Sequence, residues 1–262
     1  MGHPVIHLGR ARGVVVAEEA RVPAAPAGSV GATPRARKRP LGFVIVLAIA
    51  LAVFAGVALL FHAQTYSSPV GTEVATNVGT SSVGGVTMQH VTLRFNTYPD
   101  ASGSVNGVPI HPGGNPSWPS YGPTNQYQVP AHSLVTVTIR QYDSGGALNN
   151  PWFDTVRGTV GGTATINGKV VRSINPNNVG HTFTVRGTPG TDPGFFLNVP
   201  LPLVPGDSQT DNGKYETVVF SFVSGDKGLY AWNCEFPCGT SIAGFGGPMN
   251  AYGYMSGFVH VV

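Results

Sequence analysis

GLYAWNCEFPCG, residues 228–239, and MSGFVHVV, residues 255–262, decide how this chain is read. Gly228–Trp232 and Gly257–Val262 are short runs rich in β-branched and aromatic residues, so both read as strands. The segment joining them holds both cysteines of the chain, Cys234 and Cys238, and two of its four methionines, Met249 and Met255. Soft sulfur donors gathered in one loop between strands suit a soft metal ion such as Cu(I). The same two cysteines, in an exported domain, also suit a disulfide.

Upstream, the texture is the same. VTMQHVTLRF (86–95) alternates. SLVTVTIRQY (133–142) sets Leu134, Thr136 and Thr138 on one face and Val135, Val137 and Ile139 on the other. GHTFTVR (180–186), Phe195–Leu201 and Glu216–Val223 are further strands, and no segment after Phe61 carries a helical period. With 36 glycines and 22 prolines punctuating short strands, the chain reads as a β-sandwich or barrel. Two stretches exceed a minimal sandwich, Tyr98–Gln128 and Asp143–Asn178, and both are expected to decorate one end or side. The second carries two turn signals, Gly161-Gly162 and Asn167-Gly168, the latter typical of a type I′ hairpin.

Residues 41–61, LGFVIVLAIALAVFAGVALLF, are 21 uncharged positions, and a bilayer-spanning helix needs roughly 20. About 40 residues precede this run, more than a cleavable signal peptide carries, so it reads as a retained anchor. Arg35, Arg37, Lys38 and Arg39 stand just before it. The positive-inside rule then keeps residues 1–40, a disordered tail rich in Ala, Pro, Arg and Gly, in the cytoplasm and sends 62–262 outward. Residues 62–85 read as a polar linker and 86–262 as the folded domain. The net charge of +3 owes its sign to the basic tail, so no basic stripe marks the folded part and nucleic acid is excluded as a partner. The chain has no Gly-x-Ser-x-Gly elbow and no His-Glu-x-x-His motif, which argues against an enzyme acting alone.

VPAHSLVTVTI (129–139), NNVGHTFTV (177–185) and the Cys-x-x-x-Cys-Gly step of 234–239 follow one another in an order that resembles the cupredoxins. The cysteine step is similar to that of the binuclear copper domain of cytochrome c oxidase subunit II. The resemblance covers roughly residues 129–262. It implies an all-β, cupredoxin-like Greek-key β-sandwich preceded by one transmembrane helix. It also implies a copper centre, mononuclear or binuclear, held by His181, Cys234, Cys238 and Met255, with Met249 a second thioether candidate. Glu235 would contribute its backbone carbonyl rather than its charge. Thiolate and thioether favour Cu(I), while imidazole serves both oxidation states. The family places a second histidine four residues after the second cysteine; here Ile242 stands there, and no histidine occurs between Cys238 and Met255. His90, His111, His132 and His260 are the other histidines of the folded part and the candidates to replace it, and Asn177 or Asn178 is expected to orient His181. Tyr230 and Trp232 read as core.

The expected function is that of a membrane-anchored copper protein that passes electrons near a respiratory chain, as a subunit of an oxidase would. Two other readings stand beside it. One is a metal-free sandwich with a Cys234–Cys238 disulfide, serving as a binding module of the cell envelope. The other is a copper chaperone with an open coordination shell.

Overall fold

The computed structural model describes residues 41–65, 71–105, 107–143, 149–204, 214–238 and 247–262. The expected cytoplasmic tail, 1–40, lies outside them, as does Ile242. Helix α1 spans Leu41–Thr65. Within it, Gly42–Leu60 has a mean hydropathy of 3.1 and no buried residue, long and apolar enough to cross a membrane. At a rise of 1.5 Å per residue those positions reach about 28 Å, close to the ~30 Å of a hydrocarbon core.

The β-domain is a Greek-key sandwich of two main sheets. In chain order its strands are β1 (Glu73–Val74), β2 (Thr76–Val83), β3 (Val86–Tyr98), β4 (Ser104–Val105), β5 (Val108–Pro109), β6 (Ser120–Gly122), β7 (Gln126–Val129) and β8 (Leu134–Gln141). They continue as β9 (Ala164–Ile166), β10 (Lys169–Val171), β11 (Val179–Arg186), β12 (Phe196–Pro202), β13 (Glu216–Val223), β14 (Gly228–Asn233) and β15 (Ser256–Val261). One sheet runs β1-β7-β15-β14-β11-β12 and the other β10-β9-β13-β8-β3-β2, with β6 added to β3. The chain crosses between sheets from β1 to β2, from β6 to β7, from β7 to β8, from β10 to β11, from β12 to β13 and from β13 to β14. Among the described strands three pairings, β1 with β7, β3 with β8 and β15 with β7, are parallel, as crossovers of this kind require.

Alternation delivers the core as the sequence implied. Val135, Val137 and Ile139 of β8 are buried, along with Val91, Leu93 and Phe95 of β3 and Val218, Phe220 and Phe222 of β13. Opposite them, Phe183 is an aromatic hub, 5.3 Å from Phe95 and 5.2 Å from Trp232 by ring centroids. Tyr230 and Trp232 are both 1% exposed, as expected of core residues. The indole N–H of Trp232 donates to the Asn125 carbonyl at 2.8 Å, which meets the cost of burying it.

Three expectations need correction. The linker does not extend to residue 85: β1 and β2 begin the folded part at Glu73, β2 pairing antiparallel with β3. Its run TNVGTSSV is polar because the strand lies exposed at a sheet edge, which removes the hydrophobic alternation that marks a strand. Tyr98–Gln128 is not decoration either. It supplies β6 and β7, and its Tyr121 and Tyr127 are each 1% exposed inside the aromatic core. Strands of three and four residues are too short to show a period. Asp143–Asn178 likewise buries Val156 and Ala164 in the core. The turn signal within it holds: Asn167 and Gly168, with φ of 47° and 82°, join β9 to β10.

Gly257 marks a close backbone approach in the sandwich. A Cβ there would lie 2.0 Å from the Asn125 carbonyl oxygen and 2.8 Å from Trp232 Nε1. Gly257→Ala must part β15 from this neighbouring backbone, and chemical denaturation is expected to show a loss of about 1–3 kcal/mol or more. An unchanged denaturation midpoint would contradict this packing.

Candidate metal centre

The antiparallel register of β11 against β14 pairs Thr184 with Asn233, Val185 with Trp232 and Arg186 with Ala231. Just beyond the ladder, the Thr182 hydroxyl accepts the Glu235 N–H at 2.9 Å. That leaves His181, one residue further back, facing the turn that begins at Cys234. A bulge in β11 between Val179 and His181, where Gly180 sits, re-aims the strand so that consecutive residues 179–185 are all buried.

Three donors meet there. His181 Nδ1 lies 3.1 Å from Cys238 Sγ and 3.8 Å from Cys234 Sγ, and the two sulfurs are 3.4 Å apart. Among the described residues these form the one cluster of three or more histidine, cysteine or acidic groups able to hold a metal ion, all within 4.8 Å of one another. Neither cysteine is bound in a disulfide. Thr182 and Phe236 donate their backbone N–H groups to Cys234 Sγ at 3.4 and 3.5 Å.

The methionines approach by different routes. The Cys238 N–H donates to Met249 Sδ at 3.3 Å, which places that thioether beside the second cysteine. Met255 is fully buried, and its carbonyl accepts the Cys234 N–H at 2.8 Å, so its backbone is tied to the first cysteine. The single helical turn Gly247–Asn250 sets this spacing, the Met255 N–H donating to the Pro248 carbonyl at 3.0 Å.

Among the described residues, His90, His111, His132 and His260 do not join the cluster. His90 shares a hydrogen bond with Thr136, and His260 points outward from β15. His132 pairs with Asp226 at the surface. His111 is buried, but its ring stacks on Tyr254 at 4.4 Å. Asn177 and Asn178 are exposed and do not orient the imidazole; Asn177 instead accepts from Asn149. Glu235 pairs with Arg186 at 2.8 Å.

The group that holds His181 is Asp143, whose Oδ2 lies 2.7 Å from Nε2. Sequence reasoning missed it. It sits 38 residues from the histidine at the start of a Gly/Asn-rich stretch, and nothing in the local pattern marks it as a site residue. The one available signal was its position directly after the β8 strand.

Burial alone would depress the His181 pKa, but its bonds to Asp143 and Cys234 outweigh that and push it up to about 10. Burial would likewise raise Cys234, yet hydrogen bonds from Cys238 and His181 hold it well below the usual thiol range. Cys238, bonded to that thiolate and buried, is pushed well above it. These directions agree on a protonated imidazole held between the Asp143 carboxylate and a sulfur pair that shares negative charge. Cys238, His181 and Asp143 stand in the order of a nucleophilic triad, but exposures of 5%, 2% and 6% close them to a substrate.

The residues fit a soft metal ion. Two sulfurs and one imidazole nitrogen converge in a dry site, and a carboxylate orients the imidazole through its other nitrogen.

No protein-family model matches the chain, and no curated protein matches it. Among solved structures it is similar to the copper protein rusticyanin, at 15% identity and a TM-score of 0.34 over 80% of this chain and 94% of the other. A rusticyanin from Thiobacillus ferrooxidans is 18% identical, with a TM-score of 0.31 over 79% and 93%. Auracyanin B is 15% identical, with a TM-score of 0.31 over 70% and 96%. Scores of this size leave the chemistry to this chain's own residues. Those residues define a β-sandwich with a buried His–Cys–Cys cluster where β11 begins and β14 ends.

Metal loading has a proton signature. Ligation through Nδ1 and two thiolates requires the imidazole to give up its Nδ1 proton and the sulfur pair to give up the proton it holds. Loading near neutral pH in weak buffer should release about two protons per centre, read by a pH indicator. In the metal-free protein the raised His181 pKa adds stability that is complete below 6.5 and lost as pH rises through about 10. An NMR titration showing His181 deprotonating between pH 6 and 8 would contradict both statements.

Proposed function

We propose that the β-domain binds copper through His181, Cys234 and Cys238, and carries electrons as a membrane-anchored protein. The supporting observation is the convergence of one imidazole nitrogen and two free sulfurs within 4.8 Å in a buried site. When bound, copper supplies one-electron redox chemistry between its two common oxidation states. The protein's part is to keep the donors fixed. His181 is held by Asp143, and Cys234 is held by two backbone N–H groups and by the ladder to β15. Donors that scarcely move keep reorganisation small when charge changes. The thioether comes from Met255 or Met249, with the hydrogen bond from the Cys238 N–H to Met249 Sδ favouring Met249.

In this reading α1 is the anchor, the tail before it stays in the cytoplasm, and the sandwich faces outward, next to a respiratory-chain partner in the manner of oxidase subunit II. The pair of neighbouring sulfurs supports a shared, two-copper centre. The single imidazole among the described donors supports one copper.

A second reading is carried by that same imbalance. Two thiolates to one imidazole is a soft set that favours Cu(I), which suits a carrier that hands copper on by ligand exchange.

The full-length chain in detergent, loaded with Cu(II), is expected to show visible thiolate-to-copper absorption, which Cys234→Ser and Cys238→Ser should each abolish. Copper hyperfine structure in electron spin resonance and the metal-to-protein ratio then separate one copper from two. Met249→Leu should shift the band more than Met255→Leu. Tight colourless Cu(I) binding without a stable Cu(II) form would replace electron transfer by the carrier reading. No copper bound in either state, with both sulfurs unreactive until reduced, would leave only the metal-free scaffold.

A further inference from the structure

We infer that Asp143 is the positioning residue that keeps the proton of His181 on Nε2, aims Nδ1 at the two sulfurs, and biases the centre towards its oxidised form. The inference rests on the copper reading above and deepens it.

Asp143 is built into place. Its carbonyl accepts two hydrogen bonds, from the Gln141 side-chain amide at 3.1 Å and from the Val204 N–H at 3.2 Å. Gln141 is in turn clamped, because its Oε1 accepts the Thr97 hydroxyl. Thr97 and Gln141 are fully buried, and they come from the neighbouring parallel strands β3 and β8. A polar chain thus runs from β3 through β8 to the backbone of Asp143, and from its carboxylate to His181 on the other sheet. Nothing about core packing asks for it, since a buried ion pair is commonly no better for stability than apolar side chains of equal volume. What it does supply is direction: a carboxylate 2.7 Å from Nε2 accepts that N–H and leaves Nδ1 as the ligating nitrogen.

The charge has a sign as well as a place. With both sulfurs ionised, the site carries two negative charges before Asp143 is counted. A third, buried behind the imidazole, favours the more positive oxidation state of the ion, and it makes the imidazole a better donor. Removing the charge while keeping the shape should therefore weaken the oxidised state more than the reduced one.

The test uses the full-length chain in detergent, as wild type and as Asp143→Asn. Competition with chelators of each oxidation state is expected to show Cu(II) affinity falling about tenfold or more in the variant, with a smaller loss for Cu(I). The midpoint potential should rise by about 59 mV for each tenfold of difference. In the wild type, nitrogen-15 NMR of the diamagnetic Cu(I) form should show a proton on His181 Nε2 that exchanges slowly with water. Should Asp143→Asn fail to fold, Gln141→Met, which frees the Asp143 backbone but keeps the carboxylate, should shift the potential in the same direction by less. An unchanged ratio of the two affinities, or an unprotonated Nε2 in the wild type, overturns the inference while leaving copper binding intact. If the wild type binds no copper, the functional reading falls. The positioning role is then still decided in the metal-free protein, where a fast-exchanging Nε2 proton overturns it and a slow one upholds it.

Discussion

Three residue pairs between β11 and β14 determine where the chemistry of this chain can occur. Once Thr184 stands opposite Asn233, the end of one strand and the start of the cysteine turn cannot avoid each other. The other ties are extensions of that register: Thr182 reaching Glu235, Thr182 N–H meeting Cys234 Sγ, and Cys234 N–H bonding to Met255. A one-residue slip would turn His181 to the opposite face and dissolve the cluster. The aromatic core beneath, with Phe183 between Phe95 and Trp232, makes such a slip costly, because it would pull buried rings into solvent.

The same register explains why the site is dry and why its charges are arranged as they are. Cys234 and Cys238 belong to the continuous hydrophobic cluster that includes Phe236, Tyr254 and Met255. Ionised groups are tolerated in such surroundings only as mutual partners. Asp143, His181 and Cys234 satisfy that demand as a row of alternating charge. A bound cation takes over the role of the His181 Nδ1 proton and of the proton on the sulfur pair, so metal binding and proton release are one event seen from two sides.

The strands that were legible in the sequence are those long enough to alternate: β3, β8, β11, β12, β13, β14 and β15 fall within a few residues of their expected limits. Three members of the cluster were named from the sequence too, Cys234 and Cys238 by their spacing between strands and His181 by the cupredoxin resemblance. β2, β6 and β7 were not. The first is a polar edge strand, and the other two are too short to carry a period, so they exist only because β3 and β15 offer open hydrogen-bonding edges. Asp143 was illegible for a related reason. A carboxylate after a strand is ordinary in sequence and becomes a site residue only when Gln141 and Val204 fix its backbone beside another sheet.

By itself, then, the chain's pattern of apolar residues determined an uncharged helix, a β-sandwich with Val137 and Trp232 inside, and a sulfur-rich turn between its last two strands. Those properties depend on neighbours a few positions away. Tertiary structure alone decided that His181 meets both sulfurs, that Asp143 rather than Asn177 or Asn178 holds its far nitrogen, and that His90, His111, His132 and His260 stay outside the cluster. Those outcomes turn on contacts a few ångströms long between residues tens of positions apart, and such distances are fixed only when two sheets have closed on one core.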